Sequence, residues 1–157
     1  MSTKKLLMRI LIVSQYFYPE NFKINDIAFF LRDEKFDVTV LTSKPNYPEG
    51  KYFDGYNFFN RNTEIIDGIE VIRVPTIPRL NGGVLGMILN YFSFLFFSFF
   101  VFLFKLKNNY DLVFATLLTP ATSLLPVVWI KRRFKIPVIL WVLDLWPDSF
   151  YANSGIR

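Results

Sequence analysis

Asp144 stands directly after seven uncharged residues, Pro137-Val-Ile-Leu-Trp-Val-Leu143, and the chain continues as Leu-Trp-Pro-Asp-Ser149. A continuous apolar run with β-branched and aromatic members predicts a strand buried on both faces of a parallel sheet. A carboxylate at the carboxyl end of such a strand lies where open α/β sheets collect their ligands. There it can accept hydrogen bonds from a hydroxyl and orient it. Asp144 and Ser149 equally suit a turn in which they accept backbone N–H groups, and spacing alone favours that capping role. The sequence contains no histidine and no cysteine. Ser-His-Asp triads, thiolate nucleophiles, disulfides and most zinc sites are thereby excluded, and no metal site is expected.

The elements that must position such residues follow from the hydrophobic pattern. Arg9-Ile-Leu-Ile-Val-Ser14 reads as a first strand, followed by the aromatic loop Gln15-Tyr-Phe-Tyr-Pro-Glu-Asn-Phe22. The glycines that let backbone approach a dinucleotide pyrophosphate are missing from this loop, which argues against NAD or FAD. Asn25 or Asp26 is placed to cap a helix running to about Lys35. Asp37–Thr42 reads as a second strand, and 43–62 as a long loop of the kind that is usually functional or mobile. Asp67-Gly68 between Thr63–Ile66 and Ile69–Val74 predicts a hairpin, with Ile69, Val71 and Arg73 on one face and Glu70, Ile72 and Val74 on the other. Tyr110–Thr116 reads as a parallel strand. A helix capped by Thr119 with Pro120 at its first position then runs to Lys131-Arg132-Arg133. The order predicts one doubly wound α/β domain with a mostly parallel sheet, spanning residues 1–157.

Val84–Phe104 carries no charge over 21 residues and is flanked by Arg79, Lys105 and Lys107. Its length matches a bilayer span. Symmetric basic flanks and strands of one sheet on either side argue against spanning. On a helical wheel Gly86, Asn90, Ser93 and Ser98 share one arc, while Leu85, Ile88, Phe92, Leu95, Phe96, Phe99 and Leu103 make the opposite arc wholly apolar. An interfacial helix with Phe92, Phe96 and Phe99 touching lipid is the favoured reading, with a buried crossover and a true span as the alternatives. The basic tail of the next helix suits either the helix dipole or anionic phospholipid. Arg9 interrupts the apolar amino-terminal segment and no small-residue cleavage site follows, so the expected location is cytoplasmic and peripheral to the membrane. The 157 residues carry a net charge of +5, and 19% are aromatic. These aromatics fall in core-like runs rather than among the lysines and arginines, which disfavours nucleic acid as a partner.

Five blocks together resemble one family: 15–26, Pro45-Asn-Tyr-Pro-Glu-Gly50, Asp67-Gly-Ile-Glu-Val-Ile-Arg-Val-Pro75, Leu89-Asn-Tyr-Phe-Ser-Phe94 and 144–149. In this order the chain is similar, from Arg9 to Arg157, to the amino-terminal half of WbuB-like sugar transferases of glycosyltransferase family 4. The resemblance implies a GT-B enzyme with two Rossmann-like domains, of which this is the acceptor-side one. It implies a retaining, metal-free transfer from a nucleotide-sugar to a lipid-linked saccharide in the assembly of O antigen, capsule or exopolysaccharide. It places Asp144 in the cleft, in a positioning or charge-stabilising role, and Pro19, Glu20, Asn21, Asn46, Tyr47 and Ser149 on the substrate side. The donor-binding domain is expected to lie outside the 157 residues, which are expected to be inactive alone and prone to self-association, with no cofactor beyond the donor. Two departures stand out: Leu143 occupies the place where many relatives have a histidine, and Glu20-Asn-Phe22 replaces the usual glycines. A non-catalytic membrane-associated or complex-forming module derived from such a domain is the alternative.

Overall fold

β1 (Arg9–Val13) begins the sheet because four successive apolar residues, Ile10 to Val13, can be buried only where both strand faces are covered. The computed structural model describes residues 7–80, 83–118 and 121–143. In chain order the remaining elements are α1 (Lys23–Asp33), β2 (Asp37–Ser43), β3 (Thr63–Ile66), β4 (Ile69–Val74), α2 (Val84–Phe104), β5 (Leu112–Leu117), α3 (Leu125–Phe134) and β6 (Val138–Val142). The six strands form one sheet in the order β3-β4-β2-β1-β5-β6, parallel throughout except for the antiparallel β3–β4 hairpin. Asp67 and Gly68 both adopt positive φ, 47° and 84°, which a tight two-residue turn requires.

The fold is doubly wound. On one face Ile10, Ile12, Val38, Val40, Ile69 and Val71 pack under Ile24 and Ala28 of α1. On the other, Leu11, Val13, Leu41, Ile72, Val74, Val113 and Ala115 pack under Phe94 and Phe102 of α2 and Val127 and Ile130 of α3. The chain order reverses between β1 and β5, so the topological switch point lies at their carboxyl ends. β4 alternates between the two faces as its period-two pattern predicts.

Three local expectations are corrected. Asn25 does not cap α1, which begins at Lys23 after Phe22; its side chain is buried and ties the preceding loop instead. The helix before β6 starts later than predicted: Ala121–Leu124 form a 3-10 turn, and α3 begins at Leu125 with Pro126 in its first turn. Proline clashes with the carbonyl four residues back in a helix interior, so the α-helix starts beside it; Thr119 and Pro120 lie outside the described residues. Finally, β6 is an edge strand and not a doubly buried one. Among the described residues it pairs with β5 alone, and Ile139, Leu140 and Val142 are 41–50% exposed. Among the described residues, no helix covers the face of β6 opposite α3.

α2 matches its expected bounds residue for residue. Gly86, Asn90, Ser93 and Ser98 turn inward, while Leu85, Ile88, Phe92, Phe96, Phe99 and Leu103 remain exposed. It is long and apolar enough to cross a membrane by length and composition alone. A β-carbon on Gly86 would lie 2.1 Å from the carbonyl oxygen of Arg79, so only glycine lets the first turn of α2 seat against that segment.

Candidate functional site

The carboxyl ends of β1, β2 and β4 converge on a buried polar network. Ser14, just past β1, donates to the carbonyl of Tyr16 at 2.8 Å and accepts from Thr116 of β5 at 2.8 Å, across the switch point. Gln15 accepts at its carbonyl from the N–H of Ser43 and the hydroxyl of Thr42. Its side chain donates to Oδ1 of Asn90 at 3.0 Å, linking the first loop to α2. Asn90 in turn donates to the carbonyl of Ile77 at 2.6 Å and to Oδ1 of Asn46 at 3.4 Å. Asn46 donates to the carbonyl of Lys44, and the N–H of Arg79 donates to its side-chain oxygen at 3.3 Å. Amides suit these positions because one side chain both donates and accepts, so a buried chain of them closes without stranded charge.

Glu20 braces the loops after β1 and β2. Its Oε1 accepts from the N–H groups of both Asn46 and Tyr47 at 2.8 Å. Asn25 holds the same loop by accepting from the N–H of Tyr18 and donating to the carbonyl of Glu20. Glu20 is 1% exposed, and its Oε2 is buried without a partner. Burial pushes its carboxyl up to about 7, against the opposing pull of the backbone donors from Asn46, Tyr47 and Phe17.

Above this layer lies an aromatic cage. Tyr16 stacks on Phe22 with ring centres 4.8 Å apart, and Tyr47 tilts against both. The guanidinium of Arg79 sits 5.1 Å from the ring of Tyr16, 5.2 Å from Tyr47 and 5.5 Å from Tyr91. Its Nη2 donates to the hydroxyls of Tyr16 and Tyr91. Burial holds the Tyr16 phenol well above its ordinary range, so it remains a neutral O–H.

A second cluster lies behind the loop after β2. Arg73, fully buried, pairs with Glu64, donates to the carbonyls of Ser43 and Tyr18, and sits 4.9 Å from the ring of Tyr56. The Tyr56 hydroxyl donates to Glu64 at 3.0 Å. Lys44, also buried, donates to the carbonyl of Asn60; burial first and Arg73 second pull its ammonium down to about 8.

The structure thus brings Glu20, Asn46 and Tyr47 together, the first two buried and Tyr47 40% exposed. Pro19 is half-buried in the same loop and Asn21 is exposed there. Phe92, Phe96 and Phe99 are exposed along α2, away from the network. Asp144 and Ser149 lie outside the described residues. Sequence reasoning missed Gln15, Tyr16, Arg79 and Tyr91 as site residues, and placed Asn90 only on a polar arc. A signal for Arg79 was present: it is the one charged residue between Val74 and Lys105.

Cavities also lie outside this network, including one of about 220 Å³ lined by Pro48, Glu49, Lys51, Tyr52, Phe53 and Asp54, and two larger ones. One of about 270 Å³ is lined by Arg9, Asp37, Glu70, Lys105 and Lys107; another of about 290 Å³ by Pro75, Phe97, Phe100, Val101 and Phe104. The rim is singled out by topology and by its concentration of buried polar groups, not by volume. Among the described residues no cluster of acidic side chains is placed to hold a metal ion. The rim offers amide and hydroxyl hydrogen bonding, aromatic surface and one cation. That equipment binds and orients. No protein-family model matches the chain, and a search of curated proteins finds no match.

Proposed function

We propose that this chain is the acceptor-side domain of a retaining, WbuB-like glycosyltransferase that moves a sugar from a nucleotide-sugar to a lipid-linked saccharide in bacterial surface polysaccharide assembly. The observation that carries the reading is the joining of three separate family-like blocks at the carboxyl-end rim. Residues 15–26, 45–50 and 89–94 are far apart in sequence, yet Glu20, Asn46, Asn90 and Gln15 form one hydrogen-bonded chain. A rim of tyrosines suits a polyol, whose apolar faces the rings cover, and the buried amide chain beneath holds the loops that carry them. The exposed apolar face of α2, with basic residues beyond its end, supports docking at the inner face of the cytoplasmic membrane, where a lipid-linked acceptor resides.

The test is a titration of the chain with a polyprenyl-diphosphate-linked saccharide in detergent, followed by NMR. Saturable binding that moves the Asn46 and Tyr47 amides is expected, with nucleotide-sugar alone producing no such change. Binding of the nucleotide-sugar but not the saccharide, or of neither, overturns the reading. A second reading, a non-catalytic membrane module, is favoured by the α2 face alone; a chain that binds vesicles but no saccharide would select it.

A further inference from the structure

We propose that Arg79, with the hydroxyls of Tyr16 and Tyr91, forms an oxyanion site that takes a phosphate group at this rim. Arg79 has no carboxylate within ion-pair distance among the described residues. Its charge is instead surrounded by three aromatic rings and two phenols. Each phenol spends a lone pair accepting from Nη2, which leaves its own proton to offer elsewhere. Arg79 Nε is buried and donates to nothing. A charged group's buried donor left unpaired is costly, and such vacancies mark places where an acceptor is wanted.

The cage therefore presents donors and positive charge, and the carboxyl that acts on it, Glu20 near Tyr16, is engaged through Oε1 by the N–H groups of Asn46 and Tyr47. A guanidinium flanked by O–H groups converges from several directions, which matches the tetrahedral oxygens of phosphate better than a flat carboxylate. Two features hold the cage in place. The N–H of Arg79 is fixed on Asn46, and its carbonyl is packed so closely on α2 that a β-carbon at Gly86 has no room. The same contact brings the amino end of α2 beside Arg79. Arg79 is itself only half-buried and Tyr47 is partly exposed, so the cage meets solvent.

This assignment deepens the acceptor-side reading, since a lipid-linked saccharide would bring its phosphate to the same rim. Its readout is anion binding, so it can fail while saccharide binding stands. Calorimetric titration of the chain with inorganic pyrophosphate gives the soluble arm, with acetate as the carboxylate control. Flotation on phosphatidylcholine vesicles with and without phosphatidate gives the lipid-borne arm. Arg79→Gln, checked for fold by circular dichroism, is expected to weaken binding at least about tenfold, and Tyr91→Phe, which keeps the ring, several-fold. Loss on the soluble arm, the lipid arm or both supports the site and identifies the phosphate's source. A folded Arg79→Gln chain that binds pyrophosphate and phosphatidate vesicles like the parent overturns it, as does acetate binding as tightly as pyrophosphate. If Arg79→Gln does not fold, undiminished binding on both arms by Tyr91→Phe overturns it.

Discussion

Arg73 illustrates how much a single buried charge constrains this molecule. It lies in β4, on the face that otherwise carries Ile69 and Val71, and its side chain is fully buried. Two unpaired ions at this depth would each cost several kcal/mol, and only Glu64, backbone carbonyls and the Tyr56 ring make the arrangement tolerable. Glu64→Gln strands the guanidinium and is expected to lower unfolding free energy by about 3–5 kcal/mol. Adding Arg73→Met to Glu64→Gln should restore part of that loss, because the stranded charge is gone. Urea denaturation of the two variants decides it; a double variant less stable than Glu64→Gln would refute the pairing argument. At this scale the sequence was only half legible. Glu20, Asn46 and Tyr47 were named only through the family resemblance, and the structure brings these three together. Their partners were not visible: Gln15 meets Asn90 across 75 positions and Arg79 meets Tyr16 across 63. No local pattern encodes such pairings, which the parallel crossovers create.

Among the elements, α2 was the most legible, because 21 residues without charge fix its length and the four small or amide residues mark its inner arc. β6 was the least, since an apolar run reads alike at the centre and at the edge of a sheet. Strand order, and hence edge position, is a property of the whole topology. The exposed face of α2 leads to a specific expectation. Phe92 and Phe96 are 63% and 47% exposed and stack on each other, whereas Phe99 also packs on Trp129. Lysine at 92 or 96 should therefore leave the circular dichroism spectrum unchanged while releasing the chain from liposomes, because a charge in the apolar layer is costly. Lysine at 99 should cost some fold stability as well. Unaltered flotation of the Phe92→Lys and Phe96→Lys double variant would mean that α2 does not face lipid. A separate expectation concerns Gly86→Ala: its methyl group collides with the Arg79 backbone, so stability should fall by about 1–3 kcal/mol, read by urea unfolding.

For the molecule as a whole, two buried groups, Glu20 at the rim and Lys44 in the cluster behind it, shape how stability depends on pH. Glu20 keeps its proton up to about 7 in the fold but releases it near 4.5 in the unfolded chain. Its raised value contributes stability that is complete below 4.5 and is lost as pH rises to about 7, an amount on the order of 3 kcal/mol. Lys44 acts in the opposite sense. Its lowered value, about 8 against an ordinary 10.5, contributes stability that is present above 10.5 and is lost as pH falls through 8. Between about 7 and 8 both groups are charged and both are buried, so their joint contribution passes through its minimum there. Glu20→Gln isolates the acid limb, since glutamine still offers Oε1 to the N–H groups of Asn46 and Tyr47 but cannot ionise. Relative to the parent, this variant should gain stability steadily from pH 4.5 to 7 and stay level above it. Lys44→Met should in the same way remove the rise between pH 8 and 10.5. Thermal unfolding of parent and variants across this range provides the differences, in which every other titrating group cancels. A parent-to-Glu20→Gln difference that stays flat from pH 4.5 to 7 would show that the Glu20 carboxyl is not desolvated in solution, and that the loops it braces are open to water.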